Sequence, residues 1–272
     1  MVSTQEAIAI AEICVYIPTF VLTLVVVFRH GFKKQFGWIY LAIFCIVRLA
    51  GAGFKIAQTH NPDNKTDIEW AAILQSVGLS PLLLASLGLL KRVTDEVSNH
   101  VRSENNAFAG YAANSGLVNI VAKRATANSR RSRIIQITAL PAMIALALCI
   151  VGGTDEADTD ASDISNGKKY MKIGILIFGA IYLLLCALVI ITMKDVGNAM
   201  HGEKRIYFAV LTALPFLAVR LLYSVLAAFS NNKDFSIFGG KPLIQLFMGV
   251  VEEFVIVCIY TLVGLTCNKS VY

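Results

Sequence analysis

Apolar positions run through this chain in seven long stretches, 6–28, 37–57, 68–90, 134–152, 170–193, 206–229 and 243–266, separated by polar connections. Each is close to the ~20 residues that an α-helix needs to cross the hydrocarbon core of a bilayer. The pattern predicts one all-α domain over residues 1–272, a bundle of seven transmembrane helices. The first stretch does not read as a cleaved leader. It lacks a basic flank, it is long, and it opens with Glu6 and Glu12. One connection is long, 91–133. It is rich in Asn, Ser and Ala, ends on Arg130-Arg131-Ser132-Arg133, and is expected as a tether beside anionic head groups, part of it a surface helix.

Composition removes the soluble alternatives. Of 272 residues, 56% are apolar and 15% charged, against about 25% charged in a soluble domain. The mean hydropathy is +0.66. Six cysteines lie in or at the end of apolar runs with no CxxC spacing, and the four histidines share no ligand spacing, so neither a metal nor a cofactor is expected. The net charge of +6 is spread over connections beside spans, which suits a lipid surface and not nucleic acid.

Charge then orients the bundle. Fifteen Lys and Arg residues fall on one side, including Arg29, Lys33, Lys34, Lys91, Arg92 and Arg130–Arg131, against five on the other (Lys65, Lys168, Lys169, Lys233, Lys241). The richer side belongs in the cytoplasm, so the N-terminus is expected outside and the C-terminus inside. The acidic run 155–163 and the sequon Asn64-Lys65-Thr66 fall on the outer, lumenal side. The expected compartment is the endoplasmic reticulum, with the plasma membrane as the alternative.

The chemistry lies in ionisable groups within spans, each costing about 2.5–3.5 kcal/mol at a helix centre on the insertion scale. Glu12 leads a polar face with Tyr16, Thr19 and Thr23 on the first span, where Pro18 is expected to kink the helix. Arg48 and Lys55 share a face of the second with Gly51 and Ala52 between them. This leaves a groove, or admits a neighbouring helix at Gly51-Ala52-Gly53. Glu69, Trp70 and Gln75 lie on the third, where Ser80-Pro81 frees the Val77 carbonyl. Arg220 and Tyr223 lie on the sixth. On the seventh, Gln245 shares the Glu252 face and Tyr260 the Glu253 face. All of these charges fall in the outer halves of their spans. That predicts a polar pocket between helices, open toward the lumen or outer leaflet. The alternative is that Arg48 and Arg220 pair with Glu252 and Glu253 and lock the bundle.

A carboxylic acid in such a site, where desolvation disfavours the charged form, can protonate an epoxide or alkene. Tyr16, Trp70 and Tyr223 can face the resulting cation. The proton donor is expected from Glu252 or Glu253, with Glu12 and Glu69 as further candidates. Arg48, Lys55, Gln75 and Arg220 would bind substrate, and Arg48 or Arg220 would hold a second carboxylate ionised as proton acceptor.

Several segments also carry a family likeness: Arg29-His30-Gly31-Phe32, Gly37-Trp38-Ile39-Tyr40-Leu41, Phe44 through Gly51, Gly78-Leu79-Ser80-Pro81-Leu82-Leu83 and Arg220-Leu221-Leu222-Tyr223. With these the chain resembles a fungal family of seven-helix membrane proteins, most of unknown function. That family is similar to the membrane-bound terpene cyclase of ascofuranone-type meroterpenoid biosynthesis. The resemblance implies acid-initiated cyclisation of an epoxidised farnesyl chain on an aromatic polyketide. It carries no catalytic residues over. The partners it implies are a lipophilic small-molecule substrate, the bilayer and other membrane-bound enzymes of one pathway. A seven-helix receptor is the alternative by topology, but the third span closes on Leu90-Lys91-Arg92 and the seventh lacks an NPxxY pattern. A lipid or small-solute transporter would suit the buried charges, but no repeated halves appear.

Overall fold

A computed structural model describes residues 4–30, 36–61, 64–109, 116–156, 161–196, 201–230 and 242–267. Among the described residues the chain is helical, with no strand: α1 (Thr4–His30), α2 (Phe36–His60), α3 (Lys65–Val77), α4 (Leu79–Ala109), α5 (Gly116–Glu156), α6 (Ala161–Val196), α7 (His201–Phe229), α8 (Pro242–Gln245), a π-helical turn (Leu246–Val251) and α9 (Glu252–Thr266). Seven segments are long and apolar enough to cross a bilayer: Thr4–His30, Phe36–His60, Lys65–Val97, Arg131–Asp155, Ser162–Lys194, Gly202–Phe229 and Pro242–Thr266. These are the helices of an integral, multi-pass membrane protein.

Most boundaries agree with the hydropathy reading to within a few residues, and two differ. The fifth span begins at Ser162, well before 170, because Lys168 and Lys169 lie on an exposed flank of a continuous helix. The connection 91–133 is not a tether along its length. It is helical as far as Ala109 and again from Gly116, with 110–115 outside the described residues. Hydropathy cannot report a helix that leaves the membrane. Here Lys91 and Asp95 pair one turn apart at 3.0 Å, and Val93 and Val97 remain buried. Arg92, expected in that connection, is buried, with Nη2 3.9 Å from Glu203 Oε1.

The helices close into a ring. α1 packs on α2 and α9, α5 on α6, α6 on α7, and α7 on α9, while α4 touches α2, α5, α6 and α7. The segment α3–α4 is accordingly the innermost. The helical hydrogen-bond pattern is interrupted at Gly78, between the two helices, while the backbone there stays helical (φ −53°, ψ −29°). α1 continues through Pro18 without ending. The Gly51-Ala52-Gly53 run does not make the closest approach between helices. Gly51 faces Leu74 and Gly53 faces open space, whereas Gly37 and Gly88 meet backbone to backbone, a Cβ on Gly88 falling 2.6 Å from Gly37 Cα.

The first and last spans are tied together at one end of the bundle. Arg29 Nη1 donates to the Leu265 carbonyl at 2.7 Å, and His30 Nε2 to the Gly264 carbonyl at 2.8 Å. These carbonyls belong to the last turn of α9, where the helix itself supplies no donors. His30 stacks on Trp38 at 5.5 Å. A ring that donates through Nε2 presents Nδ1 as acceptor, and Arg92 Nη1 lies 3.4 Å from it.

Candidate functional site

Three of the expected residues meet deep in the bundle. Arg48 of α2 donates from Nη2 to Glu253 Oε2, and Arg220 of α7 donates from Nε to Glu253 Oε1 at 2.5 Å. Arg220 also donates from Nη1 to the Ser224 hydroxyl at 2.7 Å and from Nη2 to the Gln75 carbonyl at 3.0 Å. That carbonyl lies three residues before Gly78. The sequence pointed instead to Val77, whose partner Pro81 removes. All three charged side chains are buried. Two cations share one anion here, and burying charge costs several kcal/mol per ion unless geometry and further hydrogen bonds offset it. Each nitrogen of Arg220 has a partner, but Arg48 Nε and Nη1 are buried without one. Gly78 makes the arrangement fit, since a Cβ there would stand 2.8 Å from Arg48 Nη2 and 2.9 Å from Glu253 Oε1.

Glu12 lies one helix away, 3% exposed, and neither carboxyl oxygen has a hydrogen-bond partner. The Tyr16 hydroxyl, one turn along α1, is buried and equally unpartnered. The Tyr16 ring sits edge-on to Phe44 and to Phe254, and the Arg48 guanidinium lies 5.6 Å above Phe44.

Glu12 and Tyr16 form part of the wall of a groove of about 150 Å³, completed by apolar residues of α1 and of the last span. Thr19 and Thr23 continue the buried face below, and Thr23 Oγ1 lies 3.2 Å from Thr261 Oγ1. The polar stripe read from α1 therefore faces the last helix.

A second cavity, about 20 Å³, lies across the ion network and is lined by Gln75, Cys149, Arg220, Tyr223, Ser224 and Gln245 among others. It has room for one water. Tyr223 stands beside Arg220, with the guanidinium 5.6 Å from its ring. Lys55 reaches this side through a 3.4 Å hydrogen bond to Gln245 Oε1. Gln245 was expected on the Glu252 face. The π-helical turn between them sets the facing back, so Gln245 lines the Arg220 cavity.

The remaining expected residues stand apart. Glu252 is half-buried and turned from both arginines, with Oε2 lacking a partner. Glu69 is half-buried in the first turns of α3, and Trp70 is 42% exposed, stacked on Phe54. Neither lines either cavity. Sequence reasoning missed the π-helical turn and the space at Gly78. For the latter the signal was present, a glycine three residues before a mid-membrane proline.

A family model described as a domain of unknown function, DUF7702, matches the chain over residues 2–111 and 111–270. The chain belongs to the DUF7702 family. Its description names no activity. No curated protein matches the chain.

Proposed function

We propose that this DUF7702 protein is a membrane-bound terpene cyclase, a cofactor-independent acid–base enzyme that cyclises an (epoxy)prenyl chain of a meroterpenoid-type substrate. The observation that supports the reading most is Glu12, a buried carboxyl without a hydrogen-bond partner on the wall of a groove lined otherwise by apolar and aromatic groups. Glu253, by contrast, is held between two guanidinium groups and lines neither cavity. The donor role among the four glutamates therefore passes to Glu12, and Glu253 becomes a positioning residue for Arg48 and Arg220.

In this scheme Glu12 transfers its proton to the epoxide oxygen. The C–O bond to the more substituted carbon breaks, and the electron pair of a neighbouring alkene forms the new C–C bond. The rings of Tyr16 and Phe254, both on the groove wall, stabilise the positive charge as it moves. The final carbocation loses a proton to the Glu12 carboxylate, or an internal hydroxyl closes on it and loses its proton to the same carboxylate. Atoms balance as an isomerisation, and the acid is regenerated. The substrate must come from reactions that prenylate an aromatic ring and epoxidise the chain, and enzymes of those classes in the same membrane are the partners we propose. We place the chain in the endoplasmic reticulum with its N-terminus in the lumen, on the cation bias of the connections.

Microsomes carrying the protein should convert a prenylated phenol with a terminal epoxide into an isomer of unchanged mass. The Glu12→Gln variant, present at equal abundance, should not. Equal conversion by microsomes lacking the protein, or by Glu12→Gln, would reject the proposal.

A further inference from the structure

The groove beside Glu12 has an opening as well as a wall. Ala11 and Val15 of α1 and Val251 of the π-helical turn line it and are exposed, and α1 packs on α9, which continues that turn. In a membrane the exposed sides of such helices meet lipid. We infer that the groove between α1 and the π-helical start of the last span is a lateral binding site for a lipid-dissolved molecule ending in a neutral oxygen function, taken directly from the bilayer. The inference rests on the reading of Glu12 as the working carboxyl and adds the route, the seat and the ligand's polar chemistry.

Three observations define the ligand. First, size: at about 150 Å³ the groove matches an engineered cavity that admits one benzene ring. One ring-sized end of the ligand fits inside, and the rest of a long chain lies outside between α1 and the last span. Second, polarity: the two polar residues of the wall, Glu12 and Tyr16, keep their oxygens just beneath its apolar surface, buried and without hydrogen-bond partners, so a ligand oxygen meets them when those side chains turn toward it. A tyrosine hydroxyl and a carboxylic acid each donate to an oxygen acceptor, and each can accept from a hydroxyl. Third, charge: a cationic end would meet the field of Arg48 and Lys55, which already reaches Glu12, and an anionic end would give up its hydration in an otherwise apolar groove. A neutral hydroxyl, carbonyl or epoxide avoids both costs.

The π-helical turn is what opens the seat. Six residues, Leu246–Val251, leave the α-helical pattern, and Leu246, Val250 and Val251 line the groove. Such turns sit frequently at functional sites. Gly249 within it has open space where a Cβ would stand, so the widening is not forced by packing around the glycine.

The test uses the full-length protein in nanodiscs and farnesol bearing a diazirine on its tail. Irradiation should label peptides covering 8–16 and 246–254 ahead of other lipid-facing helices. Unlabelled farnesol should compete, and pentadecane at the same mole fraction should not. Val251→Trp, which fills the groove from its exposed side, should lower labelling at least tenfold with an unchanged melting temperature. Glu12→Leu should lower the preference for farnesol over pentadecane by about tenfold, the order expected for losing one buried hydrogen bond. Labelling spread evenly over all lipid-facing helices, or equal competition by pentadecane, would overturn the site. Localised labelling in wild-type protein that converts no epoxide supports the groove and rejects the enzyme. Conversion that survives Val251→Trp supports the enzyme and rejects the groove.

Discussion

Glu252 and Glu253 are neighbours in the chain with opposite surroundings. Glu253 is fully buried and accepts from Arg48 and Arg220, whereas Glu252 is half-buried and touches neither arginine. Adjacent helical residues point about 100° apart, so one carboxylate can enter the centre of the bundle only if the other turns away.

Their substitutions should separate accordingly. Glu253→Gln keeps the shape but leaves two buried guanidinium groups without a counter-charge. We expect a loss of about 3–5 kcal/mol, the range for breaking a buried pair. Glu252→Gln should stay within about 0.5 kcal/mol of wild type. Thermal unfolding of both variants in the same detergent, followed by size-exclusion fluorescence, checks the difference. Equal melting temperatures would contradict the ion network.

The glycine under the network gives a second test. Gly78→Ala adds one methyl group against Arg48 and Glu253, side chains already fixed by their pairing. Overpacking of this kind costs about 1–3 kcal/mol. Gly53→Ala, facing open space on α2, should be neutral or slightly stabilising. The two melting curves should therefore move apart.

Activity should depend on Glu12 more than on any other carboxyl. On a substrate that the wild type converts, Glu12→Gln should lower turnover by roughly 10²–10⁴, the usual worth of a positioned acid–base group. Its melting temperature should hold, since the native carboxyl makes no hydrogen bond that glutamine would lose. Full activity in Glu12→Gln with loss in Glu252→Gln would return the donor role to the last span.

Topology can be read at Asn64. This residue caps α3, accepting from the Thr66 backbone N–H at 3.2 Å and donating to Asp67 at 2.9 Å, and it is exposed. With the N-terminus lumenal, Asn64 carries a glycan, and Asn64→Gln removes the corresponding mobility shift. Cytoplasmic labelling of a cysteine placed at Asp155 would reverse the orientation.

The seven spans were legible because a bilayer demands long apolar runs, and few other requirements produce them. The meeting of Arg48, Arg220 and one span-seven glutamate was legible from their shared depth. Which glutamate it would be was not, since depth does not specify azimuth. Gln245 was misplaced for a related reason: a face drawn with a constant helical period cannot anticipate a π-helical turn. The helical extensions to Ala109 and from Gly116 were foreseen only as part of a surface helix, with no bounds, because hydropathy is silent about polar helices. Glu12 was visible as a buried acid, but its lack of a partner belongs to the packing of α1 against the last span and to nothing local in its sequence.

The tie between Arg29, His30 and the closing carbonyls of α9 has a mechanical consequence. Glu12 lies eighteen positions from His30 on α1, about 27 Å along a helix. The first and last spans are thus pinned at one end and separated by the groove at the other, like a clothes-peg. Any widening between them happens in one leaflet while the opposite leaflet sees a closed seam. A molecule that flips slowly between leaflets would reach the groove from only one of them, so the sidedness of its synthesis would decide whether this protein ever meets it.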